Sequence, residues 1–150
     1  MKTVILGIGN LLMGNEGVGV HAARYLEAHY KPEDTPVVDG GTGGFHLMEY
    51  FQDYERVILI DATIDGQPPG TISVLHPKFS RDYPPTLTAH DIGLKDMLDS
   101  VYLMNYQPEV VLFTVSISEL TEMNLELTED VKAVIPTLSG KIVEYLQAHP

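Results

Sequence analysis

Three side chains suited to acid–base or metal chemistry stand where functional groups collect in α/β proteins. Glu16 lies in a glycine-punctuated loop after the first predicted strand, Asp61 ends the apolar run RVILID, and His90 opens a predicted helix after a long loop. Ligands of open α/β sheets bind beyond the carboxyl ends of the strands. Two carboxylates and one imidazole form an incomplete ligand set that suits zinc, nickel or iron.

Each of these side chains also has an ordinary structural interpretation. The dipole of the following helix favours an acid at Glu16. Asp61 could cap a turn that follows its strand. Thr88 and Asp91 form a possible capping box, which would leave His90 in the first turn of its helix. The residues alone therefore leave both interpretations open, and the predicted site depends on the fold that brings the three loops together.

Apolar runs and helical spacing predict that fold. Buried strands are predicted at 3–7, 56–61 and 110–117, with a brief strand at 36–39 and a weaker strand near a sheet edge at 71–75. Helices are predicted at about 16–29, 90–103 and 128–146, and Pro136 and Gly140 are expected to kink or split the last one. Alternating strands and helices predict one α/β domain, residues 1–150, with a parallel sheet covered on both faces.

Composition narrows the partners. The chain has 21 acidic and 9 basic residues and a formal net charge of −12, which argues against binding to nucleic acid. It has no cysteine, so any metal must be held by imidazole and oxygen ligands or arrive already bound to something else. No stretch resembles a signal peptide or a membrane span, and we expect a cytoplasmic protein without membrane contact.

Glycines in the first loop also raise the possibility of a nucleotide site. Gly7–Gly14 follows a strand, but Leu12 breaks the G-x-G-x-x-G spacing of dinucleotide-binding loops. Asp39, after the second strand, could imitate the acid that binds a ribose, so a nucleotide-binding α/β protein stays open as an alternative. The sequence contains no H-E-x-x-H, G-x-S-x-G or P-loop motif.

Taken together, four segments resemble the hydrogenase maturation proteases, which process the large subunits of nickel-iron hydrogenases. They are ILGIGNLLMGNEGVGV (5–20), VVDGGTGG (37–44), VILIDATIDGQPPGTI (57–72) and HDIGL (90–94). Their order and spacing match the family over nearly the whole chain. The resemblance implies a three-layer α/β/α sandwich around a twisted, mainly parallel five-stranded sheet.

The resemblance also implies a function and a site. Glu16, Asp61 and His90 match the family's metal-contacting positions, which are also the candidate catalytic residues. The metal is nickel, supplied by the substrate, a hydrogenase large-subunit precursor that loses a short C-terminal peptide. Whether nickel polarises the scissile carbonyl or a bound water, or only marks the precursor while a carboxylate activates water, stays open. A nickel or precursor chaperone that does not cleave is the non-enzymatic alternative.

The sequence also matches a second loop of the family and departs from the family's pattern at three places, one of which is Asp91 after His90, where the family varies. The family's other cleft-bordering loop is implied to bind substrate, and here it comprises Asp39, Gly40, Gly41 and Thr42. Asn15 stands where the family often has a second acid. The segment Phe113–Leu127 departs from the commoner glycine-containing version, so the resemblance does not indicate which hydrogenase is served.

Overall fold

A computed structural model describes residues 1–30, 32–87, 94–118 and 125–150. The strands are β1 (Thr3–Gly7), β2 (Val37–Asp39), β3 (Arg56–Thr63), β4 (Ile72–Leu75) and β5 (Glu109–Ser116). The helices are α1 (Val18–His29), α2 (Met48–Asp53), α3 (Leu94–Leu103) and α4 (Glu129–Ala148). Short 3-10 helices lie at Gly14–Gly17, Phe45–Leu47 and Ser80–Asp82.

The five strands form one mainly parallel sheet in the order β2-β1-β3-β5-β4. Among these strands β4 alone is antiparallel, and it pairs with β5 at the sheet edge. The central strands β1 and β3 are buried along their whole length, as their unalternating apolar sequences predict. The predicted sheet, including the edge position of the strand that begins near residue 72, is therefore confirmed.

Helices cover both faces of the sheet. On one face, α1 and α4 pack together over a core that includes Ile58, Ile60 and Phe113. On the other face, α2 and α3 cover a second core that includes Val57 and Leu59. This arrangement confirms the three-layer sandwich. Within the described residues, no helix is long and apolar enough to cross a membrane.

The predicted end of β3 is wrong. Asp61 does not terminate the strand, because β3 continues through Ala62 to Thr63. The extra residues pair in parallel with β5, with Asp61 opposite Thr114 and Thr63 opposite Ser116. A charged residue after an apolar run suggests a strand end, but the neighbouring strand supplies hydrogen-bond partners beyond it. Asp61 consequently lies inside the sheet.

The expected interruption of the last helix is also wrong in one respect. α4 runs unsplit from Glu129 to Ala148 with Pro136 inside it. Pro136 has no N–H to donate to the carbonyl four residues earlier, which normally destabilises a helix interior. A continuous buried stripe compensates for that loss by holding the helix against the sheet on both sides of the proline; it consists of Val131, Ile135, Leu138 and Ile142.

Candidate active site

The sheet face under α2 and α3 changes from apolar to polar at the carboxyl ends of β3 and β5. Val57 and Leu59 belong to the core on this face, and strand alternation places Asp61 on the same side. Leu112 and Thr114 repeat the change on β5. The polar side chains at this end are almost fully buried: Asp61 is 1% exposed, Thr63 2%, Thr114 2% and Ser116 0%.

Asp61 is a buried carboxylate in the middle of this polar region. Its Oδ1 accepts a hydrogen bond from the N–H of Ala62 at 2.8 Å. That contact lies within a strand, so the alternative role of capping a following turn does not describe it. Burying a carboxylate costs free energy unless charge or hydrogen bonds compensate. The position is therefore one where a cation or a proton-bearing substrate group would be stabilised.

Glu16 is half-buried in the 3-10 helix Gly14–Gly17, which packs against β3. Two glycines make this close packing possible. A Cβ on Gly9 would lie 2.3 Å from the carbonyl oxygen of Glu16, and one on Gly19 would lie 2.3 Å from that of Ile60. The backbone around Glu16 is thus seated beside Ile60, the residue that precedes Asp61. The structure brings these two predicted segments together.

The loop Asp39–Thr42 borders the first loop. The N–H of Gly9 donates to the carbonyl of Gly41 at 2.8 Å, which ties the two loops together. Asp39 Oδ1 accepts the N–H of Gly41 at 2.9 Å, and its Oδ2 lies 3.4 Å from the guanidinium of Arg24. The Asp39 carboxylate therefore organises its own loop. Gly40 is buried and Thr42 half-buried, and both stay predictions as substrate-binding residues.

His90 lies outside the described residues, as do the Thr88 and Asp91 of its predicted capping box. The described chain approaching it ends at Leu87, which is buried and bridges to Thr63 at the end of β3. In the part of the chain that the structure describes, no group of three or more His, Cys, Asp or Glu side chains could hold a metal ion.

Sequence reasoning missed the hydroxyls on β5. Thr114 and Ser116 alternate with apolar residues at the end of a strand that was predicted simply as buried. This switch to a period of two is a readable signal for a polar patch on one face. Among the described residues, the Oγ of Ser116 has no hydrogen-bond partner. A buried hydroxyl in that state is available to a water molecule or a ligand.

The loop after β1 does not have the geometry of a dinucleotide site. In such sites a glycine-rich turn leads directly into the N-terminus of a helix. Here the 3-10 helix Gly14–Gly17 intervenes, and α1 begins only at Val18. The Asp39 carboxylate, the candidate ribose ligand, is engaged with Gly41 and Arg24. Both observations disfavour the nucleotide alternative.

A cavity of about 660 Å³ lies on the opposite face of the sheet from Asp61. It is bounded by α1, α4 and residues 125–127, and His21 and Lys132 contribute to its lining. Burial, followed by the charge of Arg24, lowers the pKa of His21. This keeps the imidazole neutral at physiological pH. The cavity is a separate feature from the polar end of β3.

The chain is similar to proteins of hydrogenase maturation. The hydrogenase maturation protease family profile, HycI, matches residues 20–145. The hydrogenase expression/formation protein HupD of Rhizobium leguminosarum bv. viciae is 31% identical, with 98% of this chain and 75% of the relative covered. The hydrogenase 2 maturation protease of Escherichia coli (strain K12) is 29% identical, over 98% of this chain and 92% of its own. The structure of the hydrogenase maturating endopeptidase HybD from E. coli has a TM-score of 0.84 at 28% identity, with 99% and 93% coverage.

Proposed function

Because this chain belongs to the hydrogenase maturation protease family and is a peptidase of that class, we infer that its substrate is a nickel-loaded large-subunit precursor. The reaction is hydrolysis of one peptide bond near the carboxyl end of the precursor, which releases a short peptide. Nickel enters with the substrate, held by precursor thiolates, since this chain has no cysteine of its own.

One observation carries the proposal: a buried carboxylate, Asp61, sits where two parallel strands turn from apolar to polar. The turn that carries Glu16 packs against the same strand. Two carboxylates at the carboxyl edge of an α/β sheet suit a divalent cation presented by another molecule. Their oxygens, with the imidazole of His90, would complete a coordination shell that thiolates begin.

The carboxylates also suit the proton transfers of hydrolysis. Water adds to the scissile carbonyl carbon and loses a proton, and the carbon–nitrogen bond then breaks as the leaving amine gains one. Glu16 or Asp61 accepts the first proton and returns it to the amine nitrogen. Substrate nickel contributes by fixing the bond beside these groups, and polarisation of the carbonyl or water is a further contribution that this geometry allows.

The loop Asp39–Thr42 is proposed to bind the polypeptide chain of the precursor. The hydrogen bond to Gly9 joins the two loops into one wall. Gly41 has a positive φ of 57°, and no atom of the described residues beyond its chain neighbours lies within 4 Å of an added Cβ. A peptide backbone can approach such a wall without meeting side chains.

Mass spectrometry of a nickel-loaded precursor, incubated with this protein beside a nickel-free control, tests the proposal. We expect one cut near the carboxyl end that appears only with nickel. A stable complex without cleavage, across several candidate precursors, would favour a chaperone instead. Equal cleavage of the nickel-free precursor would remove the metal from recognition.

A further inference from the structure

Asn15 joins the turn that carries Glu16 to the first turn of α4. The N–H of Thr128 donates to Asn15 Oδ1 at 2.9 Å, and Asn15 Nδ2 donates to Thr128 Oγ1 at 3.0 Å. The two residues are 113 positions apart in the chain. A two-point bond between them fixes both the distance and the orientation of the 3-10 helix relative to α4.

Thr128 is used in an unusual way for its position. It is the N-cap residue of α4, but its side chain makes no cap hydrogen bond to the helix backbone. A threonine at this position normally accepts a backbone N–H of the helix, which stabilises the helix. Here the N–H of Val131 is taken by Asp130 Oδ1 at 2.9 Å instead. The hydroxyl of Thr128 is thereby released to link Asn15 and Asp130.

The direction of this link is fixed by its ends. The hydrogen bond from Thr128 lowers the pKa of the Asp130 carboxyl, which is ionised at neutral pH and can only accept. The hydroxyl proton of Thr128 therefore points to Asp130 rather than to Asn15 Oδ1, which lies farther away at 3.3 Å. The Thr128 oxygen then needs a donor from the other side, and the Asn15 amide supplies it. A carboxylate at position 15 would compete with Asp130 for the same single proton.

On the other side, the Glu16 segment is held by the first loop. The carbonyl of Asn15 accepts the N–H of Val18, and Gly9 packs closely against the carbonyl of Glu16. The backbone of Glu16 is therefore clamped between the loop after β1 and the start of α4. Loss of the α4 contact would leave the 3-10 helix held by the first loop, β3 and the start of α1 alone.

We propose that Asn15 is a positioning residue, which sets the Glu16 carboxylate for substrate through the link Asn15–Thr128–Asp130. This rests on the proposed function, in which Glu16 contacts the nickel of the precursor. Asn15 does not touch the reacting atoms itself. This chain requires an asparagine at position 15, because Asp130 already accepts the hydroxyl proton of Thr128 and position 15 must therefore donate.

A reversal of the link provides the test. Asn15→Asp should lower the single-turnover rate of precursor cleavage about tenfold, the size expected when the amide donor to Thr128 Oγ1 is lost and two carboxylates compete for one hydroxyl proton. Adding Asp130→Asn places an amide at position 130 that can donate to Thr128 Oγ1. The hydroxyl proton of Thr128 can then be donated to the carboxylate at position 15, so the double variant should recover most of the rate. Asn15→Asp with Glu129→Gln has the same net charge but no reversed link, and should stay slow.

Hydrogen exchange separates this proposal from the proposed function, since it needs no substrate. The amides of Val18 and Thr128 should exchange faster in Asn15→Asp and return toward native protection in the variant with Asp130→Asn. If Asn15→Asp folds poorly, Thr128→Val provides a second test, because it keeps the backbone donor and removes the hydroxyl. Its amides should show the same faster exchange. Native exchange and native cleavage in Asn15→Asp, or equal rescue by Glu129→Gln, would overturn the proposal. Failure of the native protein to cleave any precursor would contradict only the proposed function.

Discussion

β3 buries a charged side chain near each of its two ends, and the surroundings of the two charges differ. Arg56 begins the strand and is 3% exposed, and Asp61 lies near its end and is 1% exposed. Both charges are costly to bury without compensation. Their surroundings distinguish a charge that serves the fold from one that we propose to serve the reaction.

The amino end of β3 is a closed structural arrangement. Arg56 Nε donates to Thr3 Oγ1 at 3.0 Å, and the guanidinium lies 5.5 Å from the centre of the Tyr145 ring. The Tyr145 hydroxyl donates in turn to Glu109 at 3.0 Å. Aromatic and hydrogen-bonding partners from β1, α4 and β5 therefore account for this charge.

The carboxyl end combines a buried acid with small polar side chains and close-packed glycine loops. Thr114 is paired with Asp61 in the sheet, and Ser116 Oγ has no hydrogen-bond partner within the described residues. Gly9 and Gly19 bring backbone from neighbouring segments to within van der Waals contact of this end. Burial of a charge does not by itself indicate function; the proposed role of Asp61 rests also on the unused hydrogen-bonding capacity of Ser116 and on the glycine loops around the acid.

Asp61→Asn should have the largest effect. Loss of the carboxylate that we propose to contact the reacting group is expected to lower single-turnover cleavage by about 10² to 10⁴. Asp65→Asn, four residues later on an exposed turn, is the matched control and should cleave normally. Near-native cleavage by the Asp61 variant would contradict the proposal that the carboxyl end of β3 serves the reaction.

Gly19→Ala should disturb the carboxyl end through packing alone. The added Cβ would lie 2.2 Å from the carbonyl oxygen of Ile8 and 2.3 Å from that of Ile60, and backbone atoms cannot yield cheaply. We expect a loss of about 1–3 kcal/mol in the free energy of unfolding and reduced cleavage per folded molecule. Urea unfolding and single-turnover assays measure the two effects, and an unchanged variant would show that the segments are less closely packed.

Arg56→Met, at the amino end of β3, should lower stability without lowering activity, which is the reverse of the effect expected for Asp61→Asn. The variant loses a buried charge-assisted hydrogen bond, so the free energy of unfolding should fall by about 1–3 kcal/mol. Cleavage per folded molecule should match that of the native protein. If instead activity fell while stability was retained, the assignment of the two ends of β3 would be reversed.

Gly140→Ala should have the smallest effect, and it should raise the free energy of unfolding where the other variants lower it or leave it unchanged. Within the described residues, the only atom near an added Cβ is the Tyr30 hydroxyl oxygen, 3.9 Å away, and the position lies inside α4. Alanine in a helix interior is about 0.5–1 kcal/mol more favourable than glycine. Thermal unfolding should show a modest rise. A fall would indicate that Gly140 has a packing role comparable to that of Gly19.

Much of this fold was predictable because β1, β3 and β5 are long apolar runs that only a covered sheet can bury. The end of β3 was not, because pairing of Thr63 with Ser116 depends on register between distant strands. Continuity of α4 through Pro136 likewise depends on tertiary packing that local propensity does not describe.

Of the candidate site, the placement of two residues near one edge of the sheet could be predicted. Glu16 and Asp61 could be chosen because charged residues near the carboxyl ends of buried strands in an α/β pattern converge at one edge of the sheet. The contact of Asn15 with Thr128 could not be predicted, since nothing local links two residues 113 positions apart. The metal-contact roles of Glu16, Asp61 and His90 stay predictions.

We propose above all that the carboxyl end of β3 recognises the nickel bound to the precursor. Its most direct test is the ratio of affinities for nickel-loaded and nickel-free precursor, measured by stopped-flow mixing before the first turnover, in the native protein and in Asp61→Asn and Arg56→Met. We predict that the native protein and Arg56→Met prefer the nickel-loaded form and that Asp61→Asn loses this preference. An unchanged preference in Asp61→Asn would contradict the account.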